Sequence, residues 1–246
     1  MKTDSSILIV GAVFQELKPI IEKLNAVQKL SIGKRQIFCG VLFNQAIIIA
    51  QSGVGMLNAV QTVTAVVEKM PVHLIINTGC AGAFSDAGLS IGDIGLATQE
   101  IDVHIGVESA LSENLIENLP FPLIQTTSES YYGNYPTSEF YCMMAFDILS
   151  QTQPANVHIK MIPFITVSTI TASKRRTEQL FTKYQAGMEN MEGAGVAHVA
   201  LLYNKPFLEM RAASNYVGIR DKGKWKSDMA FECSTNAIVT FLENIY

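Results

Sequence analysis

The chain has 246 residues, of which 48% are hydrophobic and 16% are charged. This proportion supplies the core of one large folded domain and argues against disorder. The formal net charge of −4 at pH 7 lacks the basic excess of most nucleic-acid-binding proteins, so we expect a small-molecule ligand and no nucleic-acid partner.

Cysteine spacing and hydrophobic runs indicate the compartment. The first long apolar run, residues 7–14, is followed by Gln15 and Glu16 rather than by a small-residue cleavage pattern. No run is long enough to span a bilayer, so we expect a cytoplasmic protein that does not enter the membrane. The cysteines form no C-x-x-C pair, and their wide spacing predicts free thiols in a reducing compartment: Cys39, Cys80, Cys142 and Cys233.

Strand-like and helix-like segments alternate along the chain. Short continuous apolar runs are typical of buried parallel strands and predict strands at 6–12, 36–43, 45–51, 72–79, 91–101, 161–170 and 206–213. Helical spacing predicts helices at 16–24, 56–70, 172–184, 189–203 and from about Ala230 onward. This alternation predicts a single α/β domain over residues 1–246, folded as a three-layer α/β/α sandwich.

One segment between these elements, residues 124–140, is polar, aromatic and rich in turn-forming residues. It is predicted to be a loop, and it is the best candidate for a lid over a ligand. An ordinary surface loop is an equally good interpretation. If the segment is a lid, its aromatic side chains would contact the ligand: Tyr131, Tyr132, Tyr135 and Phe140.

Two common kinds of site find little support in this sequence. The run "QSGVGMLNA" (51–59) is similar to the start of a dinucleotide fingerprint, but Asn58 stands where the third glycine would be. We therefore interpret the run as a tight strand-to-helix turn. None of the four histidines lies at ligand spacing from another histidine or a cysteine, so we predict neither a metal nor a cofactor.

Four groups of side chains fall where predicted strands pass into helices: Glu16, "NTGCAGA" (77–83), Glu192 and "RAASN" (211–215). The carboxyl ends of parallel strands meet at one crevice, where α/β proteins bind ligands. The small residues Gly79, Cys80 and Ala81 would let backbone amides approach a ligand closely. No histidine lies near Cys80 in the sequence, and no cysteine-hydrolase signature surrounds it. We therefore interpret it as a packing thiol and not as a nucleophile.

In this order and spacing, the motifs resemble those of the nucleoside phosphorylase/nucleosidase superfamily. Within it the chain is similar to the methylthioadenosine/S-adenosylhomocysteine nucleosidases and, more so, to the futalosine hydrolases of menaquinone biosynthesis. The resemblance implies a homo-oligomeric enzyme that acts on a nucleoside. It runs from about Ile7 to the C-terminus and rests on "GAVFQE" (11–16), "SGVG" (52–55), "NTGCAG" (77–82), "IGD" (91–93), "NMEG" (190–193) and "RAASN" (211–215).

The resemblance also implies roles for single residues. Glu16 would position and activate the attacking water, with Arg211 beside it. Glu192 would bind the ribose hydroxyls, with Met191 against the sugar. These residue types suit the reaction, because one carboxylate stabilises the positive charge that develops on the ribose and a second can deprotonate water. Cys80 stands where relatives that release adenine have a serine, which makes a hydroxyl contact from this loop doubtful.

Water is the expected nucleophile. A phosphorylase needs cations to hold phosphate, and arginine is the best group for this. The phosphorylases that the chain resembles place an arginine after the first strand. Residues 11–24 contain no arginine, and the carboxylate of Glu16 would repel a phosphate dianion.

Asn215 indicates the leaving base, because it stands where adenine-specific relatives have an aspartate. Its amide offers one donor and one acceptor, which match O6 and a protonated N7 of hypoxanthine. A capping role at the strand–loop junction is the alternative. We therefore expect hydrolysis of futalosine with release of hypoxanthine. The alternatives are a methylthioadenosine/S-adenosylhomocysteine or other purine nucleosidase, and a non-catalytic nucleoside-binding protein.

Overall fold

The computed structural model describes residues 5–108, 116–219, 221, 223 and 225–245. In these residues, helices pack around one large sheet. The helices are α1 (Phe14–Ile21), α2 (Met56–Val67), α3 (Glu139–Thr152), α4 (Lys174–Tyr184), α5 (Gly193–Leu202) and α6 (Ser227–Asn244). The strands are β1 (Ser6–Gly11), β2 (Asn25–Ile32), β3 (Arg35–Leu42), β4 (Gln45–Gln51), β5 (Val72–Ala83), β6 (Ile94–Asp102), β7 (Val107–Glu108), β8 (Ile116–Glu117), β9 (Ile124–Gln125), β10 (Ser130–Tyr131), β11 (Asn134–Pro136), β12 (Ile159–Thr166), β13 (Met188–Asn190) and β14 (Phe207–Tyr216).

The central sheet has ten strands in the order β11-β6-β12-β13-β5-β1-β4-β3-β2, with β14 paired to both β5 and β6. Strand β1 lies between β4 and β5, and these three strands and β14 are parallel. The predicted α/β architecture is confirmed. The sheet is mixed rather than parallel throughout, since β2, β3 and β11 run antiparallel to their neighbours.

Both faces of the central strands are buried, which explains their continuous apolar runs. In β1, Ile7 and Ile9 pack on the side of α1, α3 and α6. The alternate residues Leu8 and Val10 pack on the side of α2 and α5. A strand that contributes to two cores has no polar face, so its sequence shows no alternation.

Strand β2 and helix α3 are absent from the sequence prediction. Nearly all of β2 is exposed at the sheet edge, so it lacks the apolar pattern of a buried strand. Helix α3 buries Cys142, Ala145 and Leu149, while Phe140 and Met143 on the same helix are exposed. Apolar residues on several sides of a helix weaken its amphipathic period.

Two boundaries near the predicted site differ from the expected ones. The helix predicted at 16–24 begins at Phe14, which places Glu16 in its first turn. The helix predicted at 189–203 begins only at Gly193, because residues 188–190 form β13. Glu192 therefore immediately precedes α5 rather than lying inside a helix, and its carboxylate is free to point away from the helix axis.

The segment 124–140 is more ordered than the predicted loop. Strands β9 and β10 pair with each other, and β11 extends the central sheet beside β6. Tyr135 is buried in β11 and its ring packs edge-on against His198 of α5. This arrangement makes part of the segment a sheet edge, which is fixed by backbone pairing.

The sequence also predicted free thiols, no metal site and no membrane span. All four cysteines are free thiols, as expected. In the part of the chain that the structure describes, no group of three histidine, cysteine or acidic side chains is arranged to hold a metal ion. No helix in that part is long and apolar enough to cross a membrane.

Candidate active site

A cavity of about 230 Å³ opens at the carboxyl ends of β1, β4, β5 and β14. It is lined by seven of the eight residues selected from the sequence: Glu16, Cys80, Ala81, Met191, Glu192, Arg211 and Asn215. The eighth, Gly79, lies directly behind the carboxylate of Glu16. The four groups of residues that are distant in sequence therefore converge on one crevice, as their positions at strand ends predicted.

The carboxyl group of Glu16 accepts three backbone hydrogen bonds. Its Oε2 accepts from the amides of Ala12 (3.0 Å) and Val13 (3.1 Å), and its Oε1 accepts from the amide of Cys80 (3.1 Å). The side chain is buried. Burial raises the pKa of Glu16, and the charge of Arg211 and the amide hydrogen bonds oppose this only in part. A fixed carboxyl with a raised pKa has the properties of a general base.

Arg211 connects three parts of the site. Its Nε donates to Glu209 Oε1 at 2.7 Å, its Nη1 donates to the carbonyl of Cys80 at 3.1 Å, and its Nη2 lies 3.4 Å from Glu192 Oε2. Burial alone would lower the pKa of Arg211, but Glu209 and Glu192 raise it above its usual value. The guanidinium is therefore always charged, and it links three parts of the site: Glu209 on β14, the end of β5 and Glu192.

Glu192 is positioned from two sides. Its Oε1 accepts from the amide of Gly55 (2.9 Å), in the loop after β4, while Oε2 faces Arg211. Its own amide donates to Asn190 Oδ1 at 2.9 Å, and the amide of Gly193 donates to the same oxygen at 2.7 Å. Asn190 thus caps the start of α5 and sets the backbone from which Glu192 reaches the cavity.

Asn215 has one fixed hydrogen bond on each side of its amide. The hydroxyl of Ser214 donates to Asn215 Oδ1 at 2.8 Å, and Asn215 Nδ2 donates to the carbonyl of Tyr216 at 3.1 Å. One N–H and one acceptor lone pair of the amide remain. Asn215 lines the cavity and keeps one donor and one acceptor for further hydrogen bonds.

The thiol of Cys80 is not activated. Burial, together with the neighbouring charge of Glu16, raises its pKa to about 12. Because the thiolate is the nucleophilic form, this thiol is inert at neutral pH. This agrees with its interpretation as a packing residue beside the ligand.

The aromatic residues of 124–140 do not line this cavity. They also do not line a wider cavity, of about 620 Å³, beside His104 and Arg176. The structure therefore places the segment outside the candidate site, and the aromatic residues that do border the cavity are Trp225 and Phe231. The sequence pattern did not single out these two residues, because Trp225 just before α6 and Phe231 within α6 lie outside the strand-end motifs.

The sequence model of the phosphorylase superfamily matches residues 6–242. The chain belongs to the phosphorylase superfamily. This confirms the resemblance drawn from the six motifs, and it agrees with the observed fold.

Two members of the phosphorylase superfamily illustrate the range of similar sequences. A futalosine hydrolase of Thermus thermophilus is 26% identical over 188 residues, which are 76% of this chain and 77% of the relative. A 5′-methylthioadenosine/S-adenosylhomocysteine nucleosidase of Staphylococcus epidermidis is 28% identical over 225 residues, covering 91% and 90%.

Solved structures of the superfamily share the fold. The 5′-methylthioadenosine/S-adenosylhomocysteine nucleosidase of Neisseria meningitidis, in complex with methylthio-immucillin-A, superposes with a TM-score of 0.84 at 18% identity and covers 97% of this chain and 99% of its own. The futalosine hydrolase of Helicobacter pylori superposes with a TM-score of 0.82 at 22% identity and covers 98% of each chain.

Sequence reasoning missed a buried polar network behind the cavity. Glu209, which holds Arg211, lies near the start of β14, and Glu100 lies in β6; neither side chain is exposed to solvent. The available signal was a glutamate inside an otherwise apolar run, "KPFLEM" (205–210). Glutamate is almost never fully buried unless it is paired, so such a residue predicts a partner.

Replacement of Gly79 tests how tightly Glu16 is held. Gly79 has φ of +134°, and a Cβ there would lie 2.5 Å from Glu16 Oε1. Gly79→Ala should therefore lower the free energy of unfolding by about 3 kcal/mol, from backbone strain and displacement of the carboxylate. Gly88→Ala is the matched control, since Gly88 also has positive φ (+71°) but only the end of the Lys160 side chain nearby. Equal urea-unfolding curves for the two variants would contradict this description of Glu16.

Proposed function

We propose that the chain is a nucleoside hydrolase that cleaves the N-glycosidic bond of futalosine and releases hypoxanthine, as in menaquinone biosynthesis. The observation that carries the proposal is the pair of buried carboxylates, Glu16 and Glu192, on the walls of one cavity with Arg211 near both. A non-catalytic nucleoside-binding protein would not need both groups. The futalosine hydrolase and nucleosidase names of the relatives support the same reaction class.

In this mechanism Glu192 binds the 2′- and 3′-hydroxyls of the ribose, with Met191 against the sugar. As the bond between C1′ and the base breaks, the base takes the electron pair and the ribose becomes cationic. The charge of Glu192 stabilises this transition state. Glu16 takes a proton from a water molecule, whose oxygen bonds to C1′. The departing base takes a proton at N7 from solvent, and Glu16 returns its proton to solvent, so that one water molecule is consumed.

The charges around the cavity favour water over phosphate. Arg211 is the cationic member of the described lining residues, and its donors are already directed at Glu209, Glu192 and the Cys80 carbonyl. Glu16, Glu189 and Glu192 line the same cavity. A phosphate dianion would meet like charges in a partly buried space, where they are weakly screened.

The amide of Asn215 supports a 6-oxopurine as the base. Its remaining N–H can donate to O6, and its carbonyl oxygen can accept from a protonated N7. The 6-amino group of adenine would instead face the amide N–H. A second candidate function, cleavage of 5′-methylthioadenosine or S-adenosylhomocysteine, is favoured by the extent of the match to the Staphylococcus epidermidis nucleosidase.

The base-release assay with Glu16 variants tests the catalytic part of the proposal. Glu16→Gln should lower kcat about 10²–10⁴-fold, the usual contribution of a general base. Burial raises the pKa of Glu16. As the pH is lowered, kcat/KM of the wild type should therefore begin to fall at a pH above the ordinary glutamate pKa of about 4.3.

The matched control is Glu22→Gln, on an exposed side chain just beyond the same helix; its rate and pH profile should be those of the wild type. Retention of wild-type turnover and of the acid limb by a folded Glu16→Gln protein would remove Glu16 from the mechanism.

The base preference tests the substrate. The wild type should have a higher kcat/KM for futalosine than for aminofutalosine, its 6-amino counterpart. In Asn215→Asp the ratio of kcat/KM for futalosine to that for aminofutalosine should fall, by at least ~10-fold and by no more than ~10⁴-fold. The reason is that a carboxylate accepts from the 6-amino group and repels O6. Methylthioadenosine and inosine complete the substrate series.

Asn134→Asp, at an exposed position of β11, controls for the added charge and should leave the ratio unchanged. An unaltered ratio in a folded Asn215→Asp protein would mean that Asn215 does not contact the edge of the base. Preference of the wild type for methylthioadenosine would establish the second candidate function instead.

The cytoplasmic location and the homo-oligomeric state are part of the same proposal. The four free thiols suit a reducing compartment. Exposed apolar side chains such as Leu57 (83%) and Phe140 (64%) are available for contact between subunits.

A further inference from the structure

Two glutamates behind the cavity are buried against each other. Glu100 in β6 and Glu209 in β14 have no solvent exposure. The two atoms Glu100 Oε1 and Glu209 Oε2 lie on the same side of Gly193, and a Cβ at Gly193 would clash with both. The glycine that opens α5 thus leaves room for two carboxyl groups at one place.

Hydrogen-bond donors reach three of the four oxygens of this pair. Glu209 Oε1 accepts from Asn77 Nδ2 (2.9 Å) and Arg211 Nε (2.7 Å). Glu100 Oε2 accepts from the Thr166 hydroxyl (2.7 Å), and Glu100 Oε1 accepts from Asn190 Nδ2. Glu209 Oε2 is buried without a hydrogen-bond partner. A proton on Glu100 would supply that missing bond.

Charge balance leads to the same result. Arg211 is the cation that faces this group of buried side chains, and Glu209 and Glu192 contact it directly. Glu100 accepts only from neutral donors. Titratable side chains on the adjoining elements include Tyr135, which lies opposite Glu100 in β11, and His198 of α5, which hydrogen-bonds to Tyr135. An additional unpaired carboxylate in such a place is strongly unfavourable. Burial, reinforced by the charge of Glu209, raises the pKa of Glu100 well above its usual value.

We propose that Glu100 and Glu209 share one proton at neutral pH, Glu100 as the carboxylic acid and Glu209 as the carboxylate, and that the pair positions Arg211 and Glu192. Glu209 holds the guanidinium through Nε. Glu100 Oε1 accepts from the side-chain amide of Asn190. Asn190 Oδ1 in turn accepts from the backbone amide of Glu192 (2.9 Å). Each carboxyl therefore fixes one support of Glu192: Glu209 holds Arg211, and Glu100 holds Asn190.

The stability of Glu100→Gln against pH tests the shared proton. The unfolded chain ionises Glu100 near a pKa of about 4.3, whereas the folded chain keeps it protonated. The folded state binds the extra proton, so wild-type stability declines as pH rises above that value. The variant lacks this decline. The Tm of Glu100→Gln minus the Tm of the wild type should therefore increase by about 5 °C or more between about pH 5 and pH 8.

The exposed-site variant Glu22→Gln should show no such trend. In difference infrared spectra at pH 8, the carbonyl stretch of a protonated carboxyl should be present in wild type and in Glu22→Gln and absent in Glu100→Gln. A Tm difference that is constant with pH, or no protonated carboxyl in the wild type, overturns the shared proton.

The positioning role rests on the proposed function and is tested by turnover. Glu100→Gln can donate to Glu209 Oε2 only by giving up the hydrogen bond that Glu100 Oε1 accepts from Asn190 Nδ2. It should therefore keep more of the kcat than Glu100→Leu, which loses both contacts and should fall about 10-fold. Glu209→Gln should lower kcat more than it raises KM. A loss in Glu100→Gln equal to that in folded Glu100→Leu contradicts the role. If the wild type itself cleaves no nucleoside, the proposed function fails, while the thermal and infrared results still decide the shared proton.

Discussion

The buried guanidinium of Arg211 is the interaction on which the rest of the site depends. One cation lies among several carboxylates that are nearly or wholly removed from water, and each of them requires compensation. Arg211 supplies it directly to Glu209 and Glu192, and its charge also acts on Glu16. Removal of this charge would leave acidic groups uncompensated in a region of weak screening. The site is therefore a single electrostatic unit.

The fold brings this unit together through strand register. Strand β14 pairs with β5 so that Arg211 lies opposite Gly79 and Asn215 lies opposite Gly82. Glycines on β5 leave room for the side chains that meet there: Glu16 over Gly79, and the Asn215 amide near Gly82. Because parallel strands end at the same edge, residues separated by almost two hundred positions in sequence reach one cavity.

The sequence predicted the parts of the site that follow from local patterns. Buried parallel strands are visible as apolar runs, and small or charged residues at their ends indicated Glu16, Glu192 and Arg211. The buried polar residues behind the cavity, such as Glu100 and Glu209, were not predictable in this way. The pairing of Glu100 with Glu209 depends on β6 lying beside β14, an antiparallel neighbour that the regular alternation of strands and helices does not imply. Strand β2 was missed for a related reason, since an exposed edge strand is defined by its partner rather than by its own apolar residues.

The proposed hydrolysis rests on the surplus of negative charge around Arg211, whose donors are already engaged, so that the described lining residues offer no free cation for phosphate. The most direct measurement is cleavage of futalosine in ¹⁸O-labelled water with inorganic phosphate present, followed by mass spectrometry of the sugar product. This account predicts a free sugar with one ¹⁸O at C1′ and a rate that does not depend on phosphate. An unlabelled sugar 1-phosphate, formed only when phosphate is added, would contradict it.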